Sequence, residues 1–284
     1  EGKASLMETL TGLSAMPVLL NTKDQDEIVD SVVNFAPTFS AIQLEVISAP
    51  RCFYIEEKIQ EKLQIPVMHD DQHGTACVVT AALINISRLT GCDLARCEIG
   101  VIGLGAAGLA ISKMLMFYLN KPIRGADINP EASQRLKEAG GLVSDLKEIM
   151  ARSDVVIATT GTPGLIKKDL VRKGQIILAL SNPNPEIEPE EALGAGAIFA
   201  ADGKTINNVL GFPGIFRGAV DANVPRITRE MLVAAARAIA DYTPASDIVP
   251  DPLDKGLHRS VARAVAKVAL EQGLNRDDLT GYFD

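Results

Sequence analysis

The sequence predicts an α/β protein in which two units of parallel strands and flanking helices follow one another along the chain. Short apolar runs alternate with helical apolar patterns along most of its length, which is typical of strand–helix–strand units. The chain has 284 residues, 47% of them apolar and 23% charged, and this suffices for two globular domains of ordinary composition. We predict a smaller α/β domain over residues 1–90, a doubly wound domain over 91–225 and C-terminal helices over 226–284 that pack back on the first domain.

The elements follow from these patterns. In the first unit we predict strands over 17–20, 41–45 and 65–68, with helices over 4–10, 24–34, 51–63 and 75–89. In the second we predict strands over 98–102, 123–126, 155–159, 176–180 and 197–200, with helices over 107–119 and 130–139. Helical periodicity returns at the end of the chain, over 229–242 and 257–272.

Composition disfavours several classes of function. The net charge of −8 argues against nucleic acid and anionic membranes as partners. No apolar stretch approaches the roughly 18 residues that span a bilayer, and no secretory leader is visible, so a cytoplasmic protein is expected. The four cysteines lack paired C-x-x-C spacing, which predicts reduced thiols and no zinc site.

The segment 65–79 reads IPVMHDDQHGTACVV and is the most informative stretch of the chain. Its apolar run ends at His69, and the acidic pair Asp70 and Asp71 lies between a predicted strand and the helix that follows it. In open α/β proteins, ligands bind at that edge of the sheet. A solvated turn is the alternative interpretation.

A glycine-rich phrase follows 29 residues after Gly74. Residues 103–108 read GLGAAG, which fits G-x-G-x-x-G, and they lie between an apolar strand and a helix, as the Rossmann-type dinucleotide fold requires. Gly103 would make the tight turn, Gly105 would let a pyrophosphate approach, and Gly108 would permit close packing. Ala106 and Ala107, which lie between Gly105 and Gly108, would form the first turn of the helix whose N-terminus faces that pyrophosphate. A glycine-rich corner without a ligand is the alternative.

Asp127 closes the next predicted strand, 19 residues after Gly108. That spacing is expected of the carboxylate that binds the adenosine ribose hydroxyls. We therefore predict NAD rather than NADP, because Asp127 would repel a 2′-phosphate. Three nearby basic residues leave NADP open, namely Arg124, Arg135 and Lys137.

With these motifs and the phrases QLEVISAPRCF, SNPNPEI and NNVLGFPGIFRGA, nearly the whole chain resembles the malic enzymes of the compact bacterial type. The resemblance implies oxidation of malate with NAD or NADP, decarboxylation to pyruvate, dependence on Mg²⁺ or Mn²⁺, and a homodimer or higher homo-oligomer. A divalent cation would act as Lewis acid at the C2 oxygen of the substrate.

The resemblance also transfers site residues. Glu45 and Asp71 correspond to metal ligands, and Asp70 to a neighbouring group that either supports those ligands or handles protons. The chain departs from the family at Val46, where relatives carry an aspartate ligand. Valine cannot coordinate a metal, so weakened metal binding is expected.

Lys3, in the phrase Glu1-Gly2-Lys3-Ala4, matches the family's general base, and burial beside a metal would lower its pKa. The family's tyrosine acid lies upstream of that lysine and has no match here, so the chain is expected to lack an amino-terminal segment. Asn182 and Asn208 match amides that hold the malate carboxylate and the nicotinamide carboxamide, and Thr160 is expected on the nicotinamide side. A malolactic enzyme and a non-catalytic NAD-binding protein remain the alternatives.

Overall fold

The computed structural model describes residues 1–283, which divide into two units. The first comprises residues 1–77, 208–243 and 250–283, and the second comprises 78–207 and 244–249. The domain limits predicted at residues 90 and 225 do not coincide with these boundaries. Residues 78–90 belong to the second unit, and residues 208–225 belong to the first, together with the last helix.

The first unit is mostly helical. Its strands β1 (Ile42–Leu44) and β2 (Val67–His69) form a parallel pair in which Gln43 aligns with Met68. Its helices are α1 (Gly2–Thr11), α2 (Gln25–Phe35), α3 (Arg51–Lys62), the start of α4 (Asp70–Thr90), and, nearer the end of the chain, α9 (Phe212–Asp221), α10 (Arg229–Tyr242) and α11 (Lys255–Glu271). A buried cluster that includes Val29, Ile55 and Val67 joins β1 and β2 to α2 and α3.

The second unit is built on one six-stranded parallel sheet. Its strands are β3 (Ile99–Ile102), β4 (Arg124–Ala126), β5 (Leu142–Val143), β6 (Val155–Ala158), β7 (Ile176–Ala179) and β8 (Phe199–Asp202). Its helices are α5 (Ala106–Leu119), α6 (Pro130–Glu138), α7 (Leu146–Arg152) and α8 (Pro189–Gly194). The strand order β5-β4-β3-β6-β7-β8 is that of a doubly wound dinucleotide-binding fold, with the reversal between β3 and β6.

The sequence explains the central strands of this sheet. Every residue of β3, β6 and β7 is buried, as expected for parallel strands covered on both faces, and their apolar runs contain no polar side chain. The α/β fold class and the doubly wound sheet are thus confirmed. The carboxyl ends of β3 and β6 open the crevice in which ligands bind in such sheets.

Two predictions about elements were wrong, and three α-helices were missed. Residues 17–20 form no strand, because Pro17 lacks an N–H and the segment has no strand beside it; Leu19 is 92% exposed. Helix α4 begins at Asp70 rather than at residue 75. Helices α7, α8 and α9 were not predicted.

The prediction of four reduced cysteines was also wrong. Cys92 and Cys97 form a disulfide, while Cys52 and Cys77 are free and buried. The chain turns back at Asp93, whose carbonyl accepts hydrogen bonds from the amides of Arg96 and Cys97 at 2.9 and 3.0 Å, and this brings the two thiols together. Among residues 1–283, no helix is both long and apolar enough to cross a bilayer.

Candidate active site

The acidic pair lies in the first turn of α4, directly after β2. Carboxylates at a helix N-terminus complement its partial positive charge, which explains why the helix begins there. The Asp70 side chain is completely buried and folds over Gly74. A Cβ at position 74 would lie 1.9 Å from Asp70 Oδ1, so only glycine leaves room for this carboxylate.

Lys3 reaches this carboxylate from α1. Its Nζ donates hydrogen bonds to Asp70 Oδ2 and to Glu45 Oε2, the latter at 2.6 Å. The Nζ also lies 5.2 Å from the ring centroid of Phe212 on α9, within the range of a cation–π contact. Gln43 donates to the same Glu45 oxygen at 3.1 Å. The structure thus brings three predicted residues together: Lys3, Glu45 and Asp70.

The pKa of the lysine differs from the expected direction. Burial of Lys3 lowers its pKa, but the charges and hydrogen bonds of Asp70 and Glu45 outweigh burial, and the net pKa is raised. Burial raises the pKa of Asp70 to about 6, against the opposing effect of Lys3. The prediction of a lowered lysine pKa assumed a bound metal; the protein's own carboxylates act in the opposite sense.

Asn208 belongs to the same cluster. Its Nδ2 donates to the backbone and side-chain oxygens of Asp70 at 3.4 Å each, and its Oδ1 accepts from the Thr75 hydroxyl at 2.9 Å. The sequence assigned Asn208 to cofactor and substrate, and the structure adds that it borders the buried carboxylate.

Glu56 on α3 was missed by sequence reasoning. Its buried carboxylate accepts from the backbone amide of His69 at 2.8 Å and from the side chains of Gln72 and His73 at 3.0 Å each. Burial raises the pKa of Glu56, but His73 and the other donors outweigh it and lower the net pKa. Glu56 thus fixes the first turn of α4; a single glutamate in an amphipathic helix gave no signal of this.

The metal prediction rests on the remaining carboxylates. Glu45 and Asp71 are partly exposed and offer the oxygen donors that Mg²⁺ and Mn²⁺ prefer, and Asp70 Oδ1 is buried without a hydrogen-bond partner. Val46 is 87% exposed and offers no donor. Within residues 1–283, no three His, Cys, Asp or Glu side chains form a metal-binding group. The donor chemistry of Glu45 and Asp71 fits a hard cation, and position 46 adds no donor to it.

The glycine phrase forms the turn between β3 and α5. Gly103 has a φ of +89°, and a Cβ there would lie 2.8 Å from the carbonyl oxygen of Thr159. A Cβ at Gly108 would lie 1.8 Å from the carbonyl oxygen of Gly103. At Gly105, the N-cap of α5, a Cβ would meet no protein atom within 4 Å. The open space at Gly105, at the start of α5 with Ala106 and Ala107, suits a pyrophosphate.

Asp127 follows β4 and braces the glycine turn. Its Oδ2 accepts from the amide of Leu104 at 2.6 Å and its Oδ1 from the amide of Asn129 at 2.8 Å. The carboxylate also lines a surface cleft with Ser133, Gln134 and Lys137.

The three basic residues near Asp127 differ in their surroundings. Lys137 lines the cleft. Arg124 lies within 4 Å of two glutamates, Glu98 and Glu148, and Arg135 within 4.0 Å of Glu131. Arg124 and Arg135 are thus engaged with glutamates, whereas Lys137 lies in the cleft beside Asp127.

Two further predicted residues follow β6 and β7. Thr160 donates from its backbone amide and its hydroxyl to Oε1 of Glu186, at 2.6 and 2.9 Å. Asn182 is exposed, and its Nδ2 donates to the carbonyl of Gly203 at 3.2 Å. A Cβ at Gly203 would lie 2.7 Å from that nitrogen, so Gly203 is needed to seat the Asn182 side chain.

Comparison with known proteins places these features in a family. Residues 129–271 match the model described as malic enzyme, NAD binding domain. Residues 69–175 also match the model of the NAD binding domain of D-isomer specific 2-hydroxyacid dehydrogenases. The bifunctional malic/malolactic enzyme of Bacillus subtilis (strain 168) is 41% identical to 97% of the chain, which covers 74% of that protein. The chain belongs to the malic enzyme family.

Other relatives of this malic enzyme chain agree. NAD-dependent malic enzyme 1 of Bacillus subtilis (strain 168) is 55% identical over 95% of the chain, and the chain spans 62% of its length. The crystal structure of malic enzyme from Pyrococcus horikoshii Ot3 superposes with a TM-score of 0.91 at 36% identity, covering 99% of this chain and 73% of that one. The resemblance inferred from the motifs is therefore confirmed.

Proposed function

We propose that the chain carries out NAD-linked oxidative decarboxylation of malate to pyruvate. The observation that carries the proposal is the contact of the partly exposed Lys3 with the buried Asp70, with Glu45 on the same lysine, in a malic enzyme chain that has a dinucleotide-binding unit. A buried carboxylate hydrogen-bonded to an amine is suited to proton transfer, because the proton can pass directly between them.

Lys3 and Asp70 have proposed roles in the proton transfers of the reaction. Lys3 would give a proton to Asp70 and accept the proton of the malate C2 hydroxyl; NAD⁺, when bound, would supply the acceptor for the hydride that leaves C2. The products of this step are oxaloacetate and NADH. Loss of CO₂ then leaves the enolate of pyruvate, which takes up one proton at carbon; this balances the proton removed from the C2 hydroxyl in the first step. The burial of Asp70 keeps its carboxylate accessible to Lys3 rather than to bulk water.

The other site residues indicated by the family resemblance would bind the metal ion, malate and NAD. Glu45 and Asp71 would hold Mg²⁺ or Mn²⁺, which supplies a Lewis acid when bound. Asn208 would orient malate beside Asp70, while Asn182 and Thr160 would bind on the nicotinamide side. NAD is the proposed cofactor, with Lys137 leaving NADP open. We also propose a homodimer or higher homo-oligomer, and a cytoplasmic location remains a prediction.

The test is malate-dependent formation of NADH in the presence of Mn²⁺. Lys3→Met should lower kcat at least about 100-fold, the usual contribution of a general base. Lys23→Met is the matched control, since Lys23 is exposed and its side chain has no contact with the site; it should retain activity. Equal activity of Lys3→Met and the unaltered protein would exclude Lys3 as the base.

Malolactic activity is the second candidate, and it is favoured by the 41% identity to the bifunctional malic/malolactic enzyme. A malolactic enzyme would retain NAD and release lactate, so assaying lactate and free NADH from the same reaction separates the two. Val46 favours a third alternative, a non-catalytic NAD-binding protein. That alternative predicts NAD binding without turnover of malate to either product.

A further inference from the structure

Glu186 is a completely buried carboxylate in the second unit that none of the assigned roles uses. It lies between β7 and α8, in the sequence Ser181-Asn182-Pro183-Asn184-Pro185-Glu186. Burial of an ionised carboxylate is costly unless hydrogen bonds compensate for the lost water. Its contacts therefore indicate what the position requires.

Four hydrogen bonds converge on this carboxylate. Oε1 accepts from the Thr160 amide at 2.6 Å, the Thr160 hydroxyl at 2.9 Å and the Ser181 hydroxyl at 2.5 Å. Oε2 accepts from the Ser181 amide at 3.3 Å. All four donors are neutral N–H or O–H groups, and among residues 1–283 Glu186 forms no ion pair. All the hydrogen bonds to this carboxylate therefore come from two loops, those that contain Thr160 and Ser181.

These loops follow neighbouring strands at the carboxyl edge of the sheet. Thr160 follows β6 and Ser181 follows β7, and the Ser181 hydroxyl also accepts from the amide of Gly161 at 2.8 Å. The backbone closes the same link, since the amide of Ile166 donates to the carbonyl of Glu186 at 3.0 Å. Glu186 thus joins the β6 loop to the β7 loop.

The link extends to the glycine turn in one direction and to Asn182 in the other. The hydroxyl of Thr159 donates to the carbonyl of Gly103 at 3.0 Å, and an ideal Cβ at Gly103 would lie 3.0 Å from the methyl group of Thr160. Asn182 is bonded directly to Ser181 in the chain. A displacement of the Glu186 carboxylate would therefore move both neighbours of the proposed nicotinamide site.

We infer that Glu186 is a positioning residue for NAD, which sets the relative placement of the Thr160 and Asn182 loops through its four hydrogen bonds. The inference rests on the proposed placement of nicotinamide beside Thr160 and Asn182. It requires only NAD binding, and its test is independent of malate turnover.

The first variant is Glu186→Gln, which keeps the shape of the side chain. A glutamine oxygen can replace Oε1, but its amide group then faces the Ser181 amide, so two donors oppose each other and the charge is lost. We expect the Kd for NAD, measured by titration calorimetry on the full chain, to rise about tenfold, the scale of one lost hydrogen bond to a charged group. Glu188→Gln is the matched control: Glu188 is exposed, caps no helix with its side chain, and should leave the Kd unchanged.

A second variant distinguishes positioning from general stability. Ser181→Ala removes the hydroxyl that links Glu186 to Gly161, and it should raise the Kd for NAD in the same way. Because both changes break one network, the double variant should lose less affinity than the product of the two single effects. Mn²⁺ binding depends on the first unit and should stay unchanged in all variants.

The outcomes separate the proposals. If Glu186→Gln binds NAD with the same Kd as the unaltered chain, the positioning role is overturned. It is also overturned if the two changes act independently in the double variant, or if the unaltered chain does not bind NAD. Equal weakening of NAD and Mn²⁺ would indicate a purely structural role and would also overturn it. Absence of malate turnover with the expected NAD effects would refute the proposed activity and leave the role of Glu186 supported.

Discussion

Single residues decide the geometry around Asp70. Gly74 leaves space for the carboxylate, Lys3 and Asn208 contact it, and Glu56 holds the first turn of the helix that carries it. The carboxylate is buried because a lysine partner offsets part of its desolvation. The same lysine partner holds Glu45, so that one amine orders two carboxylates from separate elements.

Among residues 1–283, Val46 is the one β-branched residue with a positive φ. Its φ is +56°, a left-handed value that is unfavourable for a β-branched residue and better tolerated by aspartate or asparagine. The side chain is 87% exposed, so no packing requires valine there. The backbone at position 46 therefore has a conformation that suits aspartate better than valine.

Val46→Asp should tighten Mn²⁺ binding about tenfold, because a third carboxylate adds ligand charge to a hard-cation site. It should also stabilise the fold by about 1 kcal/mol through relief of the left-handed valine. Val46→Asn is the matched control, since it relieves the backbone without adding charge. Calorimetric titration with Mn²⁺ and thermal unfolding of each variant measure the two effects separately.

The transferred metal site would be contradicted by one combination of results. If Val46→Asp leaves the Mn²⁺ affinity unchanged and Asp71→Asn also has no effect, neither position contributes to a metal site. The alternative of a non-catalytic NAD-binding protein would then gain support.

The sequence predicted which residues carry the chemistry, but it did not predict their hydrogen-bond partners. Asp70 and Lys3 were predicted from local motifs, because short phrases carry family resemblance. Glu56 and Glu186 were not, because their role depends on burial and on donors from other elements. The raised pKa of Lys3 was missed for the same reason: the carboxylates that cause it are distant in sequence.

At the scale of elements, accuracy depended on burial and length. The central strands β3, β6 and β7 begin and end within one residue of their predicted limits, because long buried apolar runs have few alternatives. The two-residue strand β5 was missed because it is short and exposed. Helix α9 was missed because its first residues, Phe212-Pro213-Gly214, contain two residues typical of turns, yet proline is favoured in the first turn of a helix.

The turn between β3 and α5 offers a direct test of ligand binding. Gly105→Val should raise the Kd for NAD at least about tenfold with little change in stability, because a Cβ there meets no protein atom but would occupy the space proposed for the pyrophosphate. Gly108→Val should instead destabilise the fold by about 3 kcal/mol, because its Cβ would collide with the Gly103 carbonyl.

Calorimetry with NAD and thermal unfolding distinguish the two glycines. Similar loss of stability in both variants would show that the turn has no free space at Gly105. Undiminished NAD affinity in a folded Gly105→Val protein would remove the pyrophosphate from this turn.

At the scale of the whole molecule, the proposed ligands divide between the two units. The carboxylates for Mn²⁺ and the proton-transfer pair belong to the first unit, and the glycine turn with Asp127 belongs to the second. A ligand that binds only the folded state stabilises it by an amount set by its concentration relative to its Kd. The stabilisation by each ligand should therefore depend only on the residues that are proposed to bind that ligand.

We expect NAD at one hundred times its Kd to stabilise the chain by about 2.7 kcal/mol, seen as a rise in Tm. At the same NAD concentration, Gly105→Val should remove about half of this rise or more, the half corresponding to a tenfold higher Kd. It should keep the rise produced by Mn²⁺, because only the glycine turn is altered. Asp71→Asn should do the opposite, since its side chain belongs to the first unit and not to the NAD-binding turn. The four combinations of variant and ligand, measured by differential scanning calorimetry, form one experiment. If Asp71→Asn abolishes the NAD effect, or if Gly105→Val abolishes the Mn²⁺ effect, the assignment of the two ligands to separate sets of residues is wrong.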